Sequence, residues 1–565
     1  MLPVILKNKL TVFLCFFIVT IPLIIFTFDT ESWSDDFQYI DVWAAYAKLT
    51  SPIQAILQPF GGIKLDHNVP VYWVISYLFT SISMNPKVLH LMVIFVFILT
   101  AFVIYRIAEE YYHDKVLGLL AGVLFLLNYH IAFKALNWNC LHCHLTNTFT
   151  GALSLYYFIK YLNSGKRGHL FFSWLFLVLT IFNFESGFLF LPALIVFAVF
   201  GFLNKKLSFK RMVIAIGIFS TVIPIYLGSA YIMTKSTFPM SYRFEKGGSP
   251  GRSIGEMAFN TNELFVRSMG FSQGYHQFVY ERLKQDSKLK ELVTDFVRGA
   301  DKVALKKIIL GHFKVLGIVF LSLIFFLAFL IFVLKYIQKK SAPFLVAYLM
   351  IFSCVIIIFA RLDIANSIAV FSSIVVADLI LTLLKKPQGA LRMAGLCFLG
   401  TYFLLTVLTV ADKFDDCYKT AFYGLSKQAF IGPGRLYRAI NGKIGHYAAE
   451  GMLVFMHDYS KFHRTGGWER IGDAVVLGDL ICSNIGAYQA EFLKHPNTQR
   501  LIKDRFIVDF SSRIIRSSKS KIIIVDSKEQ ALKKIKEENI DIYKMPAIYL
   551  SKDYRITKLN DDFKN

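Results

Sequence analysis

Long apolar stretches recur along about the first four hundred residues of this chain. A helix needs about 17–25 such residues to cross the roughly 30 Å hydrocarbon core of a bilayer. Because 55% of the residues are hydrophobic and only 18% are charged, a soluble enzyme and a disordered chain are both excluded. The sequence predicts an α-helical polytopic membrane protein with about 11 transmembrane helices, at residues 10–28, 88–108, 115–133, 144–162, 169–184, 187–204, 211–233, 313–335, 342–360, 366–384 and 393–411.

Lysine and arginine fall unevenly between these stretches. An N-terminus on the cytoplasmic side puts about 17 basic residues in cytoplasmic segments and leaves only Lys134 and Arg361 in the three short outer turns. The net charge of +23 therefore indicates cytoplasmic loops and not a nucleic-acid partner. Lys7 and Lys9 precede the first stretch and no small-residue cleavage site follows it, so we expect it to be a retained span.

Three long segments then fall on the outer side of the membrane. They are a first loop (29–87), a loop at 234–312 and a C-terminal region (412–565). Within the first loop, the apolar segment Val69–Ser83 is too short to span and predicts an interfacial or re-entrant helix. The chain thus divides into a transmembrane domain at 1–411 and a soluble outer domain at 412–565.

The outer segments also show local structure. In the middle loop, Asn262–Gly270 and Glu281–Phe296 are typical of helices. In the tail, a strand at Lys521–Asp526 leads into a helix opened by the capping box Ser527-x-x-Gln530, and Ala547–Leu550 follows as a second strand. The C-terminal domain is therefore predicted to be α/β or α+β.

Two adjacent acids, Asp35 and Asp36, begin the first outer loop. Neighbouring carboxylates repel each other, so they need solvent or a cation, and one of them can become a general base. The alternative is a solvated loop start. Asp36 is also a candidate ligand for a divalent metal ion.

Other charged residues lie at the outer turns. Glu185 sits in a tight apolar turn, where an acid is costly unless it finds a partner, lines a cavity or caps a helix at the water boundary. Arg361 either snorkels to the interface or clamps a phosphate with its planar fork. Lys134 lies at the same outer side. Together these residues suggest an anionic ligand beside a group that needs deprotonation.

The turn before the fourth span is rich in cysteine and histidine. It contains Trp138 and the sequence Cys140-Leu-His142-Cys143-His144. This matches the c-type haem attachment pattern, and a metal site, a redox dithiol and a polar cavity lining are further interpretations. In the last of these, His142 or His144 donates to a bound phosphate. In the tail, Cys417 and Cys482 could pair in an oxidising compartment.

The order of these features resembles the GT-C superfamily of membrane glycosyltransferases, near its protein O-mannosyltransferase and aminoarabinose-transferase branch. The shared features are a cytoplasmic N-terminus, the acidic pair Asp35-Asp36 and interfacial helices in the first loop at Val42–Leu57 and Val69–Ser83. His67-Asn-Val-Pro70 corresponds to the step that opens the second of these helices. The Glu185 turn followed by Pro192 is also similar.

The resemblance implies a donor sugar carried on a polyprenyl phosphate and an acceptor hydroxyl on a glycan, lipid or protein. Asp35 or Asp36 would be the general base, and Glu185 would position the acceptor or a first-loop helix. The leaving phosphate would be neutralised by Arg361, Lys134, His142 and His144, while His67 and Trp138 would position the acceptor or a loop. No cofactor is required, although a divalent cation is compatible with this chemistry. The enzyme would transfer a hexosyl or pentosyl group with inversion of configuration at the anomeric carbon.

Three rival functions remain open at this point: a secondary transporter or flippase, a non-catalytic assembly protein of envelope glycan synthesis, and a redox protein. No N-x-[ST] sequon occurs in the outer segments. Its absence, with the Lys/Phe/Ile-rich composition, favours a bacterial inner membrane with the C-terminal domain in the periplasm.

Overall fold

The computed structural model describes parts of both predicted regions. The described residues are 8–27, 51–57, 69–83, 86–128, 142–234, 343–355, 366–385, 453–457, 508–509, 514–515, 521–542, 547–550 and 556–559, with Leu264, Ser268 and a few positions between 389 and 400. The predicted span 313–335 lies outside these ranges, as does most of the span 393–411. The count of eleven spans therefore stays a prediction.

Most of the described residues are helical. The helices are α1 (Lys9–Thr27), α2 (Pro52–Leu57), α3 (Pro70–Ile82), α4 (Pro86–Tyr112), α5 (Lys115–Leu126), α6 (His142–Ser164), α7 (Arg167–Asn183), α8 (Phe190–Leu203), α9 (Phe209–Ser220), α10 (Val222–Thr234), α11 (Pro343–Cys354), α12 (Asn366–Leu384) and, in the tail, α13 (Lys528–Glu537). A short 3-10 helix, Glu185–Leu189, joins α7 to α8.

Four of the described helical stretches are long and apolar enough to cross a membrane, which agrees with a membrane protein. They are Lys87–Tyr112, Glu185–Leu203, Phe209–Ile232 and Asn366–Leu384. Shorter apolar helices lie at Lys9–Ile21, Pro70–Ile82, Lys115–Leu126, Arg167–Asn183 and Pro343–Cys354. Eight of these nine overlap predicted spans, and the shorter ones cover only part of them. The ninth is α3, the short helix predicted within Val69–Ser83.

Helix α6 fills the predicted span 144–162 but is not one of these apolar helices. Its first half is rich in histidine, threonine and asparagine, and these side chains are buried: His142, His144, Thr146, Asn147 and Thr148. Helices α4 and α7 pack against it. Because buried polar groups need hydrogen-bond partners, this half of α6 determines where polar chemistry can occur inside the helices.

Two glycines one helical turn apart let α5 approach its neighbours closely. A Cβ on Gly118 would lie 2.7 Å from the backbone oxygen of Tyr105 on α4, and one on Gly122 would lie 2.4 Å from the ring of Phe16 on α1. Small residues at this spacing allow helix backbones to pack tightly, which is the main source of association between helices in lipid.

The turns predicted to be cytoplasmic meet at one end of the helices, here called the basic end. Lys385 Nζ after α12 lies 2.8 Å from Asp114 Oδ2 before α5. Asn163 near the end of α6 donates to the Glu110 backbone oxygen at 3.0 Å and accepts from Lys206 Nζ at 2.9 Å. These turns therefore share one end of the helices, as the charge bias predicts, while the compartment that this end faces stays a prediction.

Asp114 also caps α5, since its Oδ1 accepts from the backbone N–H groups of Val116 and Leu117 at 2.9 and 3.1 Å. Partial burial acts to raise the pKa of Asp114. The hydrogen bond from Lys385, the backbone N–H groups and the lysine charge outweigh it, so the pKa is lowered. At pH values above the unfolded-state pKa of about 3.9, the contact therefore stabilises the folded protein. This stabilisation is lost as the pH falls through the lower folded-state pKa.

Asp114→Asn tests this contact. Asparagine keeps the helix cap but loses the charge that faces Lys385. Because Lys385 is largely exposed and Asp114 is partly exposed, we expect the wild type to be more stable at pH 7 by less than about 1 kcal/mol. The difference should shrink as the pH falls below the unfolded-state pKa of about 3.9 and should vanish once the pH lies below the lower folded-state pKa. Thermal unfolding of both proteins in detergent across this pH range measures it, and a gap that stays constant with pH would contradict the assignment.

The described part of the tail contains a small sheet with one helix. The strands are β1 (Leu453–His457), β2 (Val508–Asp509), β3 (Ile514–Ile515), β4 (Lys521–Val525), β5 (Ala547–Leu550) and β6 (Ile556–Lys558). The four-stranded sheet has the order β4-β1-β5-β6, with β1 parallel to β4 and β5 and with β6 antiparallel to β5; β2 and β3 pair separately.

The predicted strand–helix–strand unit in the tail is confirmed. Ser527 Oγ accepts from the Gln530 N–H at 3.3 Å, and Gln530 Oε1 accepts from the Asp526 N–H at 2.6 Å. Ala531 and Ile535 of α13 pack with Phe455 of β1 in a small apolar cluster. Whether residues 412–565 form one outer domain stays a prediction.

Two residues of the predicted outer loop 234–312 are buried among the helices. Leu264 is part of the large apolar cluster, and Ser268 bonds to Tyr348 Oη of α11 at 2.8 Å. The backbone oxygen of Ser268 accepts from Ser372 Oγ of α12 and from Asn128 Nδ2 at 3.5 Å. Leu264 and Ser268 therefore lie among the helices and not outside them, and both belong to the helical patch predicted at Asn262–Gly270.

Candidate functional site

A cluster of buried polar side chains forms where α6 begins and α7 ends, at the end of α6 and α7 opposite the basic end. The 3-10 helix Glu185–Leu189 closes the turn from α7 to α8, and α3 and α10 each add one polar residue. We call this group the polar cluster: Ser76, His142, Cys143, His144, Thr146, Asn147, Asn183, Glu185, Ser186 and Tyr226.

Glu185 is the acid of this cluster, and it is only 2% exposed. It is the first residue of the 3-10 helix. Tyr226 of α10 donates its hydroxyl to Glu185 Oε1 at 3.1 Å. Glu185 is therefore buried and has a hydrogen-bond partner, while its predicted role as a site residue stays a prediction.

The polar side chains of α7 and α6 hold the turn in place. Asn183 Nδ2 donates to the Cys143 backbone oxygen at 2.9 Å and to Thr146 Oγ1 at 2.8 Å. Asn147, oriented so that its oxygen faces donors, accepts from Ser186 Oγ at 2.8 Å and from the Gly187 N–H at 3.0 Å. The side chains of Asn183 and Ser186 and the Gly187 N–H, which flank Glu185, are thus hydrogen-bonded to α6, and these contacts support the carboxylate.

His142 lies between α6 and α3. Its Nε2 is 2.9 Å from Ser76 Oγ, and its ring stacks on Tyr72 with centroids 4.8 Å apart. In the part of the chain that the structure describes, Nδ1 has no hydrogen-bond partner. In a catalytic triad a third group orients the imidazole; among the described residues the contact of His142 with Ser76 is a link between α6 and α3.

His144 and Cys143 flank the same turn. The His144 ring meets Phe184 edge-on with centroids 4.9 Å apart, and the side chain is 8% exposed. Cys143 is a buried cysteine. Its partner in the predicted dithiol or haem pattern, Cys140, lies outside the described residues, as do Cys417 and Cys482, so these interpretations stay untested.

The structure brings together three of the predicted site residues: Glu185, His142 and His144. The other predicted site residues lie outside the described ranges: Asp35, Asp36, His67, Lys134, Trp138 and Arg361. Within those ranges no group of three or more histidine, cysteine, aspartate or glutamate side chains is placed to hold a metal ion. The divalent cation predicted at Asp36 is not tested by this.

The sequence did not point to Ser76, Asn147, Asn183 or Tyr226. Asn183 had a local signal, because it precedes Glu185 by two residues in the same turn. Tyr226 had none, since it is 41 residues from its partner in the chain. A tyrosine in an apolar span is ordinary in sequence, and only the packing of α10 against the turn reveals its role.

The chain was compared with known proteins by sequence. No model of a known protein family matches it, and no curated protein is detectably similar to it. The site is therefore interpreted from its own geometry and chemistry.

Proposed function

We propose that this chain is a membrane glycosyltransferase that moves a sugar from a polyprenyl-phosphate donor to an acceptor hydroxyl. The observation that carries the proposal is Glu185, a carboxylate buried in a turn between apolar helices and braced by hydrogen bonds from α6 and α10. A buried acid held this rigidly is typical of a functional site. The resemblance to GT-C enzymes, which rests on Asp35-Asp36 and the Glu185 turn, supplies the reaction class.

The proposed architecture has about eleven spans with the N-terminus in the cytoplasm of a bacterium. The basic end then faces the cytoplasm, and the polar cluster lies toward the periplasm. Residues 412–565 form a periplasmic domain in this arrangement. The shared end of the basic turns supports it.

The proposed chemistry is a single displacement. Asp35 or Asp36 takes the proton from the acceptor hydroxyl, whose oxygen attacks the anomeric carbon as the bond to the phosphate breaks. The configuration at that carbon inverts, and the polyprenyl phosphate leaves as an anion. Arg361 and Lys134, with His142 or His144, offset the developing negative charge, and Glu185 orients the acceptor.

One observation favours a transporter or flippase as the second candidate. The candidate span Phe209–Ile232 is interrupted at Thr221, where α9 ends and α10 begins, and interrupted helices line the substrate sites of many transporters. A non-catalytic assembly protein of envelope glycan synthesis has no such observation in its favour.

Reconstituted protein offered a panel of polyprenyl-phosphate sugars tests the proposal, with donor consumption and product mass as the readouts. We expect one donor to be consumed. Asp35→Asn or Asp36→Asn should lower the rate by about 10²-fold or more, because a general base contributes about 10²–10⁴-fold, and Glu185→Gln should also slow transfer. The matched control is Glu110→Gln, which changes a carboxylate at the basic end.

The alternatives give different results in this experiment. A transporter moves the lipid-linked sugar across the vesicle membrane without changing its mass. A non-catalytic protein leaves the donor intact, and its acidic-pair variants match the wild type in the envelope-glycan profile of whole cells. Equal rates for Glu185→Gln and Glu110→Gln in an active enzyme would remove Glu185 from the site.

A further inference from the structure

The buried residues described in helices α9 and α10 form one stripe along the two helices. Its five buried residues are Ala215, Phe219, Val222, Tyr226 and Ala230. Most of the neighbouring positions are exposed, including Val213, Ile214, Ile223 and Ile225, as expected for a helix that faces lipid. Tyr226 is the one polar side chain of the stripe, and its hydroxyl donates to Glu185 Oε1.

The break between α9 and α10 lies just before Tyr226. Pro224 has no N–H, so the backbone oxygen of Ser220 loses its helical donor and the helix is interrupted there. Trp174 of α7 donates its Nε1–H to Thr221 Oγ1 at 3.1 Å. The break is thus fastened to the same helix whose C-terminal end leads into Glu185.

The ring of Tyr226 is fixed independently of its hydroxyl. Phe188 meets it edge-on with centroids 5.1 Å apart, and Phe182 lies 5.7 Å away. Phe182 and Phe188 come from the two sides of the Glu185 turn. Because the ring is held by aromatic contacts, the hydroxyl oxygen is held beside the carboxylate to which it donates.

We infer that Tyr226 is a positioning residue that fixes the Glu185 carboxylate for the acceptor. The inference rests on the proposed function where it concerns the acceptor, and on the Tyr226–Glu185 geometry alone where it concerns the carboxylate. Tyr226→Phe is the appropriate change, since it removes the hydroxyl and keeps the ring between Phe182 and Phe188.

The first measurement does not depend on activity. Tyr226→Phe is combined with Glu185→Ala in a double-mutant cycle, read as the equilibrium of unfolding by SDS in mixed micelles. We expect coupling of at least about fivefold in the unfolding equilibrium constant, as is usual for a buried hydrogen bond to a carboxylate. Glu185→Gln, which keeps an accepting oxygen, serves as the second partner if the alanine variant does not fold, and should give weaker coupling. Tyr231→Phe, on the exposed side of α10, should be additive with both.

The second measurement uses transfer kinetics in the reconstituted full-length protein. We expect Tyr226→Phe to lower kcat/KM for the acceptor by about tenfold while KM for the donor changes less than twofold. A purely structural tyrosine would lower stability and leave both constants of the folded protein unchanged.

Each outcome decides one question. Additive effects in the cycle overturn the inference whatever the activity. Coupling with unchanged acceptor kinetics in an active enzyme also overturns it, because Tyr226 is then structural. If the wild type transfers no sugar, the proposed function fails, and the cycle alone decides whether Tyr226 fixes Glu185.

Discussion

Replacing Asn183 by aspartate is expected to destabilise the protein by more than about 3 kcal/mol. Asn183 is fully buried, and its Nδ2 donates to two oxygens, the Cys143 backbone oxygen and Thr146 Oγ1. Aspartate has the same shape but no donor when ionised. A carboxylate oxygen would then face the Cys143 oxygen, and the other charge of the turn, Glu185, lies two residues away. Unfolding by SDS in mixed micelles measures the loss.

The control is the same substitution at the basic end. Asn163 also donates through Nδ2, to the Glu110 backbone oxygen and to Glu110 Oε1, but it is exposed and Lys206 lies 2.9 Å from its Oδ1. Water and the lysine offset the new charge, so Asn163→Asp should cost less than about 1 kcal/mol. Equal losses of stability in Asn183→Asp and Asn163→Asp would mean that the Asn183 side chain is accessible to water. The polar cluster would then not be buried.

Most of the described helices could be predicted from the sequence because their physical cause is local. Apolar length alone predicted α4 and α12, and the capping box at Ser527 predicted where α13 begins. The proline at position 70 and the shortness of the apolar segment together predicted α3 as a short helix. The entry of Ser268 among α11 and α12 could not be predicted, because its partners are 80 and 104 residues away.

The candidate site was predictable only in part, for the same reason. Glu185 stood out because an acid in an apolar turn is unusual, and the structure gives it a buried partner. His142 and His144 were predicted to line an outer cavity; the structure shows that both are buried, against α3 and against Phe184, while the cavity stays a prediction. Contacts such as Ser76 with His142 join residues 66 apart, and no spacing rule in one sequence identifies such pairs.

Gly187→Ala is expected to destabilise the protein by about 1–3 kcal/mol and to disturb Glu185 along with it. A Cβ at Gly187 would lie 2.7 Å from the backbone carbon and oxygen of Thr180, which are part of α7 and cannot rotate away. The 3-10 helix must therefore shift from α7. The Gly187 N–H is a donor to Asn147, so the shift also weakens the support beneath the carboxylate. SDS unfolding measures the stability, and transfer kinetics measure the effect on the site.

Gly228→Ala, on the neighbouring helix α10, is the control, because we expect it not to destabilise the protein. Nothing lies within 4 Å of a Cβ at Gly228 on α10, and alanine favours a helix over glycine by about 0.5–1 kcal/mol. This variant should be as stable as the wild type or more so, with unchanged transfer. If Gly187→Ala were equally harmless, the 3-10 helix could move without cost, and a rigid Glu185 could not be the basis of the site. If Gly187→Ala lowers the stability and Gly228→Ala does not, the position of Glu185 depends on the close approach of the turn to α7.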